Sequence, residues 1–571
     1  MTSEPSEGAA TASALRTLLI EGRIAEAVAE ISVSLKSAPD DPVLNKLMGV
    51  AQLHLGAAMA ALPFLQKCVD LDPQNAEVHF NLATGYEAAG DVPRASAALL
   101  AALEIDPGYA DAHNNIGLIF GRLGKLDDAL RHLEAAVARN AESAIFHNNL
   151  ATVQKQADRT EDAVGHFEQA IRLDPSFEQA YGNYGDLLQF QNRMEDVEAV
   201  LNSAAEHCDL RHPALLDLRA HLAIHKKNDA AARDFIVQAV AADSTDLLKH
   251  RRLSLLGKVN DRLADYDSAF ENFVGANRFA AVSGRDRGID GVRYAKRVDS
   301  LIANGEALAP PQPGAEAGDA PLVPTFLVGF PRSGTTLLDT ILRSHPEIAV
   351  LEEQPVISQL RALQQAGPAT QPAPLLRDDQ RAALQARYFD IVADKFDREG
   401  IRVLVDKFPL NLVEAGFVRS VFPSAKFILA LRHPNDCVLS CFMQTFDLND
   451  AMANFLDLGD AARFYDRAMT LWRLYDRKLD LETHIIRYED VVDDLRGAVA
   501  PLLEFLGVGW SDNVENYRAT ALGRDRINTP SYNQVTQPVY RRAMGRWQNY
   551  ENRFEPIDHL LRPWRDHWGY D

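Results

Sequence analysis

The sequence predicts two fold types in one chain: an N-terminal superhelix of paired α-helices, then an α/β domain with a mainly parallel sheet. Residues 8–211 repeat themselves with a 34-residue step, which indicates stacked helical units. From residue 325 onward, short β-favouring apolar runs alternate with helical periodicity, which is typical of strands covered by helices. At 571 residues the chain is too long for a single core, so at least two domains are expected.

The N-terminal repeat is marked by two residue types that keep the 34-residue step. Prolines stand at the ends of four repeats, with Ala141 in the one missing slot: Pro39, Pro73, Pro107 and Pro175. Small residues recur where helices would cross: Ala27, Ala61, Ala95, Ala129 and Ala163. This pattern resembles the tetratricopeptide repeat. We expect six repeats over residues 8–211, the last degenerate, stacked around a groove that binds a peptide or protein partner.

Asparagines recur on the first helix of several repeats. They are Asn114, Asn115, Asn148, Asn149 and Asn183. One interpretation is that their amides hold an extended peptide backbone in the groove, and the other is that they are polar residues facing solvent. The sequence leaves both open.

Two further segments separate the repeats from the α/β domain. Residues 212–304 keep an apolar helical periodicity without the strict repeat, so we expect an irregular helical region that couples the two parts. Residues 305–324 are rich in Pro and Gly and are expected to form a linker. The α/β domain is expected over residues 325–571.

Composition restricts the function classes. A formal net charge of −21 disfavours nonspecific binding to nucleic acid or an anionic membrane. The four cysteines are too few and too scattered for a disulfide framework, and Cys437 and Cys441 are expected to be buried small residues. The N-terminus shows no signal-peptide pattern, and no run approaches the roughly 18 apolar residues of a membrane span. We therefore expect a cytoplasmic protein.

The α/β domain opens with a strand, a glycine loop and a helix. Phe326 to Val328 form the apolar run, and the loop has the spacing Gly329-x-x-x-x-Gly334 of a phosphate-binding P-loop. Backbone N–H groups and the helix dipole would meet there and favour an anion. Thr335 occupies the slot of the usual P-loop Lys, which argues against a nucleoside triphosphate. Arg332 instead offers a fork of donors for an oxyanion.

The sequence of this loop, Pro331-Arg-Ser-Gly-Thr-Thr336, resembles that of the sulfotransferase family, which uses 3′-phosphoadenosine 5′-phosphosulfate (PAPS) as donor. Arg at position 332 is most similar to the tyrosylprotein sulfotransferase branch and its relatives fused to tetratricopeptide repeats. The resemblance extends over roughly residues 322 to 571. It implies that the loop holds the phosphosulfate through residues Arg332, Ser333, Gly334, Thr335 and Thr336.

The resemblance also implies the catalytic residues. The second Glu of the pair that follows the next strand serves as base in that branch, and Glu353 matches it. A carboxylate is a suitable base for a phenol or alcohol within hydrogen-bond reach. Lys407 matches the Lys that touches the oxygen between sulfate and phosphate, and Ser531 matches a Ser that closes over the phosphates. Arg332, Lys407 and Ser531 would stabilise the charge that develops during transfer.

The remaining donor contacts follow a core strand and the C-terminal region. Arg432 and Ser440 fit the motif that binds the 3′-phosphate, and Tyr488 resembles the Tyr that packs near the adenine. Arg546 stands where relatives carry a basic residue before Trp. His433 is assigned no role. No cluster of acidic or His ligands accompanies these motifs, so no metal is expected.

The predicted activity is transfer of a sulfuryl group from PAPS to an acceptor hydroxyl, with the repeats recruiting the substrate or a partner. The acceptor stays open among a protein tyrosine, a saccharide, a lipid and a small phenol, and the oligomeric state stays open with a homodimer included. Two alternatives remain: a tetratricopeptide scaffold with a catalytically silent nucleotide-binding domain, and a P-loop kinase, against which Thr335 counts.

Overall fold

The computed structural model describes residues 7–243, 248–306, 308, 322–364, 373, 375–396, 399–522 and 544–570. These residues separate into two compact units, with the boundary between Ala242 and Asp243. Within the described ranges, no helix has the length and apolar character that a membrane crossing requires.

The N-terminal unit consists of helices that follow one another in pairs. Their bounds are α1 Glu7–Ile20, α2 Ile24–Ser37, α3 Pro42–His54, α4 Ala58–Leu71, α5 Ala76–Ala88, α6 Val92–Ile105, α7 Ala110–Arg122, α8 Leu126–Arg139, α9 Ala144–Gln156, α10 Thr160–Leu173, α11 Glu178–Phe190, α12 Met194–His207, α13 Pro213–His225 and α14 Asp229–Ala242. The predicted stack of paired helices is confirmed.

Glycine also recurs with the 34-residue step, in the turns inside the first four helix pairs. Gly90 and Gly124 adopt positive φ values of 78° and 73°, a conformation that costs Gly little. One step further along the 34-residue repeat, Asp158 takes the same place with φ 58°, and Asn192 follows with φ 58°. Both residue types tolerate the left-handed region better than most. The left-handed turn is therefore kept in the later repeats, which lack the glycine.

The recurring asparagines form hydrogen bonds with one another across successive repeats. Asn149 Nδ2 donates to Asn114 Oδ1 at 2.9 Å. Asn183 Nδ2 donates to Asn148 Oδ1, also at 2.9 Å. Asn114 and Asn148 are buried rather than facing solvent. The amides thus link the first helices of neighbouring repeats.

The C-terminal unit begins with three helices and continues into the sheet. The helices are α15 Lys249–Arg262, α16 Tyr266–Asp286 and α17 Gly291–Gly305. The strands are β1 Thr325–Gly329, β2 Ile348–Glu352, β3 Val403–Lys407, β4 Lys426–Leu431 and β5 Glu482–Arg487. The later helices are α18 Thr335–Arg343, α19 Val356–Leu363, α20 Asp378–Val392, α21 Ala415–Val421, α22 Pro434–Phe442, α23 Leu458–Leu479, α24 Tyr488–Asp493, α25 Leu495–Leu506, α26 Tyr517–Leu522, α27 Glu551–Phe554 and α28 Asp558–Trp568.

The five strands form one parallel sheet in the order β2-β3-β1-β4-β5. Helices cover both faces, because alternate strand residues enter different cores: Phe326 and Val328 belong to one cluster and Leu327 to the other. After β1 the chain moves to one side of the sheet, and it later returns to place β4 on the other side. Ligands of open parallel sheets bind at such a switch point, beyond the carboxyl ends of the strands.

Three of the four cysteines are buried free thiols: Cys68, Cys437 and Cys441. Burial raises the pKa of both Cys437 and Cys441, so these thiols stay protonated at neutral pH. Their Sγ atoms lie 3.8 Å from the Arg432 carbonyl oxygen and 3.3 Å from that of Pro331. They pack the helix α22 against the loop as small buried residues.

Candidate active site at the carboxyl ends of the strands

The loop between β1 and α18 is held in a conformation that few residues adopt. Arg332 has φ 71° and Gly334 has φ 97°. A Cβ at Gly334 would lie 2.7 Å from Cδ2 of Tyr488, so the tyrosine ring packs directly on this glycine. A Cβ at Gly329 would lie 2.6 Å from the Ala430 carbonyl oxygen. The loop therefore needs glycine at both ends, and it leads directly into the N-terminus of α18, where backbone N–H groups lack intrahelical acceptors.

Ser333, Thr335 and Thr336 are buried around this turn. Ser333 donates its backbone N–H to the Phe330 carbonyl at 3.1 Å, and this bond closes the loop. The two threonines form the first turn of α18. Their position at the N-terminus of a helix suits an anion, as the sequence indicates.

Two arginines from distant parts of the chain meet at this loop. Arg332 Nε donates to Ser440 Oγ on α22 at 3.0 Å. Arg432, at the end of β4, donates from Nη1 to the Arg332 carbonyl oxygen at 3.2 Å. The Arg432 guanidinium also lies 5.1 Å from the centre of the Tyr488 ring, a cation–π contact. The structure thus brings Arg332, Arg432, Ser440 and Tyr488 together.

Glu353 and Lys407 meet at the ends of the adjacent strands β2 and β3. Lys407 Nζ lies 2.8 Å from Glu353 Oε1. The Glu353 backbone N–H donates to the Lys407 carbonyl at 2.8 Å, and Glu353 takes the left-handed conformation with φ 47°. The lysine side chain is fully buried, whereas 33% of the glutamate side chain is exposed. The carboxylate is therefore the partner that an incoming molecule can reach.

Lys407 is surrounded by further carboxylates. Its Nζ lies 3.7 Å from Glu352 Oε1 and 3.8 Å from Asp339 Oδ2. Asp339 is fully buried on α18 and also pairs with Arg343 at 2.9 Å. Sequence reasoning missed Asp339, although an Asp inside the apolar run of this helix was a signal that a buried cation faces it.

Asp406 precedes Lys407 on β3 and points to the opposite face of the sheet, because side chains alternate along a strand. Burial raises the pKa of Asp406 to about 7, and the hydrogen bond from the Tyr388 hydroxyl, at 2.9 Å, opposes that shift. The two neighbours therefore have different roles, since Asp406 belongs to the core and Lys407 to the site.

The C-terminal segment is fastened beside α22. Asp436 accepts backbone N–H bonds from Gly545 at 2.7 Å and Trp547 at 3.0 Å. The His433 ring stacks on the Trp547 ring with the centroids 5.2 Å apart. Arg546 pairs with Asp261 of α15 at 3.0 Å. His433 thus has a packing contact that the sequence did not reveal.

One expected site residue, Ser531, lies outside the described residues. Among those that are described, no group of three His, Cys, Asp or Glu side chains is arranged to hold a metal ion. The loop, Arg332, Arg432 and Ser440 form one group, and Glu353 with Lys407 forms another, both beyond the carboxyl ends of β1 to β4. Cations and backbone N–H groups on one side and a carboxylate on the other suit transfer of an anionic group to a hydroxyl.

Separate parts of the chain match known protein families. Residues 324–512 match the model described as "Sulfotransferase family". Residues 52–116 and 114–176 match two models described as "Tetratricopeptide repeat".

An uncharacterized protein of Aquifex aeolicus is 28% identical over 320 residues, covering 54% of this chain and 41% of its own. Protein-tyrosine sulfotransferase 2 of Gallus gallus is 27% identical over 254 residues, covering 40% of this chain and 63% of its own. The chain thus spans less than two thirds of either relative.

A solved tetratricopeptide repeat protein from Parabacteroides merdae covers 44% of this chain and 96% of its own, with 17% identity and a TM-score of 0.38. The chain thus combines segments that match tetratricopeptide repeats with a later segment that matches the sulfotransferase family.

Proposed function

We propose that the α/β domain transfers a sulfuryl group from PAPS to the hydroxyl of an acceptor. The observation that carries the proposal is the arrangement of Glu353, one third exposed, against the buried Lys407. This pair lies at the same edge of the sheet as the glycine loop, in which Arg332 donates to Ser440. A base, a buried cation and an anion-binding loop are the parts that this reaction needs.

The donor would bind along the carboxyl ends of β1 and β4. Arg432 and Ser440 would hold the 3′-phosphate, and the Tyr488 ring would pack near the adenine. The backbone of Ser333 and Gly334, with Thr335 and Thr336, would hold the phosphosulfate at the helix N-terminus. Thr335 in the slot of a P-loop Lys supports a phosphosulfate over a nucleoside triphosphate.

Transfer would break the bond between the sulfur and the bridging oxygen of the donor and form a bond between the sulfur and the acceptor oxygen. Glu353 would take the proton of the acceptor hydroxyl. The electron pair of the broken bond stays on the departing 3′-phosphoadenosine 5′-phosphate, where Lys407 and Arg332 would stabilise the growing negative charge. Ser531 is proposed as a further donor to the same charge.

A peptide tyrosine is the acceptor class that we propose to test first. The Gallus gallus relative is named a protein-tyrosine sulfotransferase, and tetratricopeptide repeats form surfaces that hold peptides or proteins. The groove of the N-terminal unit would then recruit the acceptor or a partner that presents it. Asn115, Asn149 and Asn183, which are only partly buried, are the proposed contacts to its backbone, and the buried Asn114 and Asn148 hold Asn149 and Asn183 in place.

The proposal is tested by incubating the full chain with PAPS and one acceptor at a time: a tyrosine peptide, a simple phenol and a saccharide. The expected result is release of 3′-phosphoadenosine 5′-phosphate with the tyrosine peptide. Release with another acceptor only would keep the activity and replace the acceptor class. Hydrolysis of Mg-ATP without any release from PAPS would overturn the proposal in favour of a P-loop kinase or NTPase.

A further inference from the structure

Helix α15, which precedes the part of the chain matched by the sulfotransferase family, turns one of its faces toward the candidate active site. Ser254, Lys258 and Asp261 lie on that face, because residues four and then three apart on a helix are neighbours. The hydroxyls of Ser254 and Thr445 lie 2.9 Å apart, and Thr445 follows the helix that carries Ser440. Asp261 Oδ2 pairs with Arg546 at 3.0 Å. Lys258 stands between these two contacts.

Three guanidinium groups lie close enough to Lys258 to repel its charge. They are Arg332 of the glycine loop, Arg546 and Arg262, and the lysine is partly buried among them. Burial first, and then these three guanidinium groups, lower the pKa of Lys258. Arg546 has Asp261 as its acidic partner. Asp261, three residues further along the same face, is bonded by Arg546 and by the Tyr550 hydroxyl, and the described part of the chain shows no hydrogen bond or ion pair for Lys258 itself.

The ammonium of a lysine close to guanidinium groups is stabilised when an anion binds between them, because each cation then attracts the anion. Arg332 is one of the guanidinium groups that act on Lys258, and its Nε bonds Ser440, the residue assigned to the donor nucleotide under the proposed function. The anion that fits this position is a tetrahedral oxyanion, because arginine forks and a lysine point charge together match phosphate and sulfonate oxygens.

We propose that Lys258 is an oxyanion-binding residue of the active site, which helix α15 contributes to the donor from outside the sulfotransferase-family segment. The inference rests on the proposed function, because the oxyanion is a phosphate or the sulfonate of PAPS. It gives the helical region before the sheet a direct part in donor binding. The described helix α15 lies within the same compact unit as the sheet.

The experiment measures the affinity of the full chain for two nucleotides by calorimetry, 3′-phosphoadenosine 5′-phosphate and adenosine 5′-phosphosulfate. The variants are Lys258→Met, which keeps the length and removes the charge, and Lys258→Arg, which keeps the charge. Arg251→Met on the exposed side of the same helix is the matched control. Lys258→Met is expected to weaken binding about 10- to 100-fold, the size of a hydrogen bond to a charged group. Lys258→Arg is expected to restore most of it.

The two nucleotides identify the oxyanion. A loss with 3′-phosphoadenosine 5′-phosphate alone assigns the 3′-phosphate, a loss with adenosine 5′-phosphosulfate alone assigns the sulfonate, and a loss with both assigns the shared 5′-phosphate. A lysine with only a structural role would instead lower the thermal midpoint of the ligand-free protein. We expect that midpoint to stay the same or rise in Lys258→Met, because a repulsive charge is removed.

Two failures are distinguishable. Wild-type protein that binds neither nucleotide contradicts the proposed function and the inference together. Wild-type protein that binds, with Lys258→Met binding equally well, contradicts the inference alone and leaves the proposed function standing.

Discussion

Lys407 Nζ lies 2.8 Å from Glu353 Oε1, so the proposed leaving-group cation and the proposed base bond directly to each other. The backbone joins the same two residues, since the Glu353 N–H donates to the Lys407 carbonyl at 2.8 Å. The lysine is fully buried and the glutamate is partly exposed. The pair therefore fixes the carboxylate at the strand edge, in reach of an acceptor, without exposing the cation.

Glu353→Gln is predicted to remove turnover and to keep donor binding. The amide has the same size but cannot accept a proton, and loss of a general base costs about 10²- to 10⁴-fold in rate. Lys407 keeps Glu352 and Asp339 as neighbours, so the fold is expected to stay intact. Initial rates with PAPS and the affinity for 3′-phosphoadenosine 5′-phosphate give the two readouts.

Glu347→Gln is the matched control for that variant. Glu347 lies just before β2 and forms a surface ion pair with Arg402 at 3.1 Å. The turnover rate of Glu347→Gln should therefore equal that of the wild type. Turnover of Glu353→Gln within tenfold of the wild type would remove Glu353 from the mechanism.

Lys407→Met is predicted to damage both stability and turnover. It leaves three neighbouring carboxylates, those of Asp339, Glu352 and Glu353, without the cation that they share. Removing one partner of a buried ion pair costs about 3 to 5 kcal/mol of unfolding free energy. Loss of one stabilising donor costs about 10²- to 10³-fold in rate. Urea denaturation at neutral pH measures the first effect.

The double variant Lys407→Met, Glu353→Gln should be more stable than Lys407→Met alone, because it removes one of the carboxylates left without a cation. A loss of less than about 1 kcal/mol at neutral pH would show that the three carboxylates do not depend on Lys407.

Asp406→Asn is predicted to flatten the pH dependence of stability. Burial raises the pKa of Asp406 to about 7, above its unfolded value, so the native protein holds this proton more tightly than the unfolded chain does. The resulting stabilisation is complete in acid and is lost as the pH rises through about 7, on the order of 4 kcal/mol in total. Denaturation of both proteins between pH 4 and about pH 8 measures the difference. If the stabilities of the wild type and Asp406→Asn changed in parallel with pH, Asp406 would not be the group that causes the pH dependence.

Two histidine pairs should make the repeats sensitive to acid. The Nδ1 atoms of His113 and His132 lie 2.9 Å apart, and those of His147 and His166 lie 2.8 Å apart. Burial first, and then the partner ring, lower the pKa of His132 and His166. The unfolded chain therefore binds protons more readily, and stability falls as the pH drops below about 6.5.

Hydrogen exchange of the amides in α7 to α10 measures this effect where it arises. Protection is expected to fall between pH 7 and about pH 5 in the wild type, and to fall less in the double variant His132→Gln, His166→Gln. An equal fall in both proteins would mean that other groups cause it.

Much of the fold is readable from the sequence, because it depends on local periodicity. The 34-residue step predicts the helix pairs, and the apolar run at Phe326 predicts a strand that the structure confirms. The loop glycines are likewise local, since each end of the turn needs a residue without a Cβ.

The contacts that the sequence does not reveal come from distant parts of the chain. Asp339 faces Lys407 only because α18 packs beside β3, and Asp261 meets Arg546 across most of the C-terminal unit. Lys258 lies before the segment that matches the sulfotransferase family, so no family motif points to it. Such pairs depend on tertiary packing, for which no local pattern exists.

Calorimetric titration with 3′-phosphoadenosine 5′-phosphate and, separately, with Mg-ATP distinguishes a PAPS site from a nucleoside triphosphate site. The comparison uses the wild type and Arg432→Ala, which removes the buried guanidinium beside Tyr488. We expect micromolar binding of 3′-phosphoadenosine 5′-phosphate alone, lost in Arg432→Ala. Binding of Mg-ATP in its place, or of neither nucleotide, would rule out the proposed PAPS site.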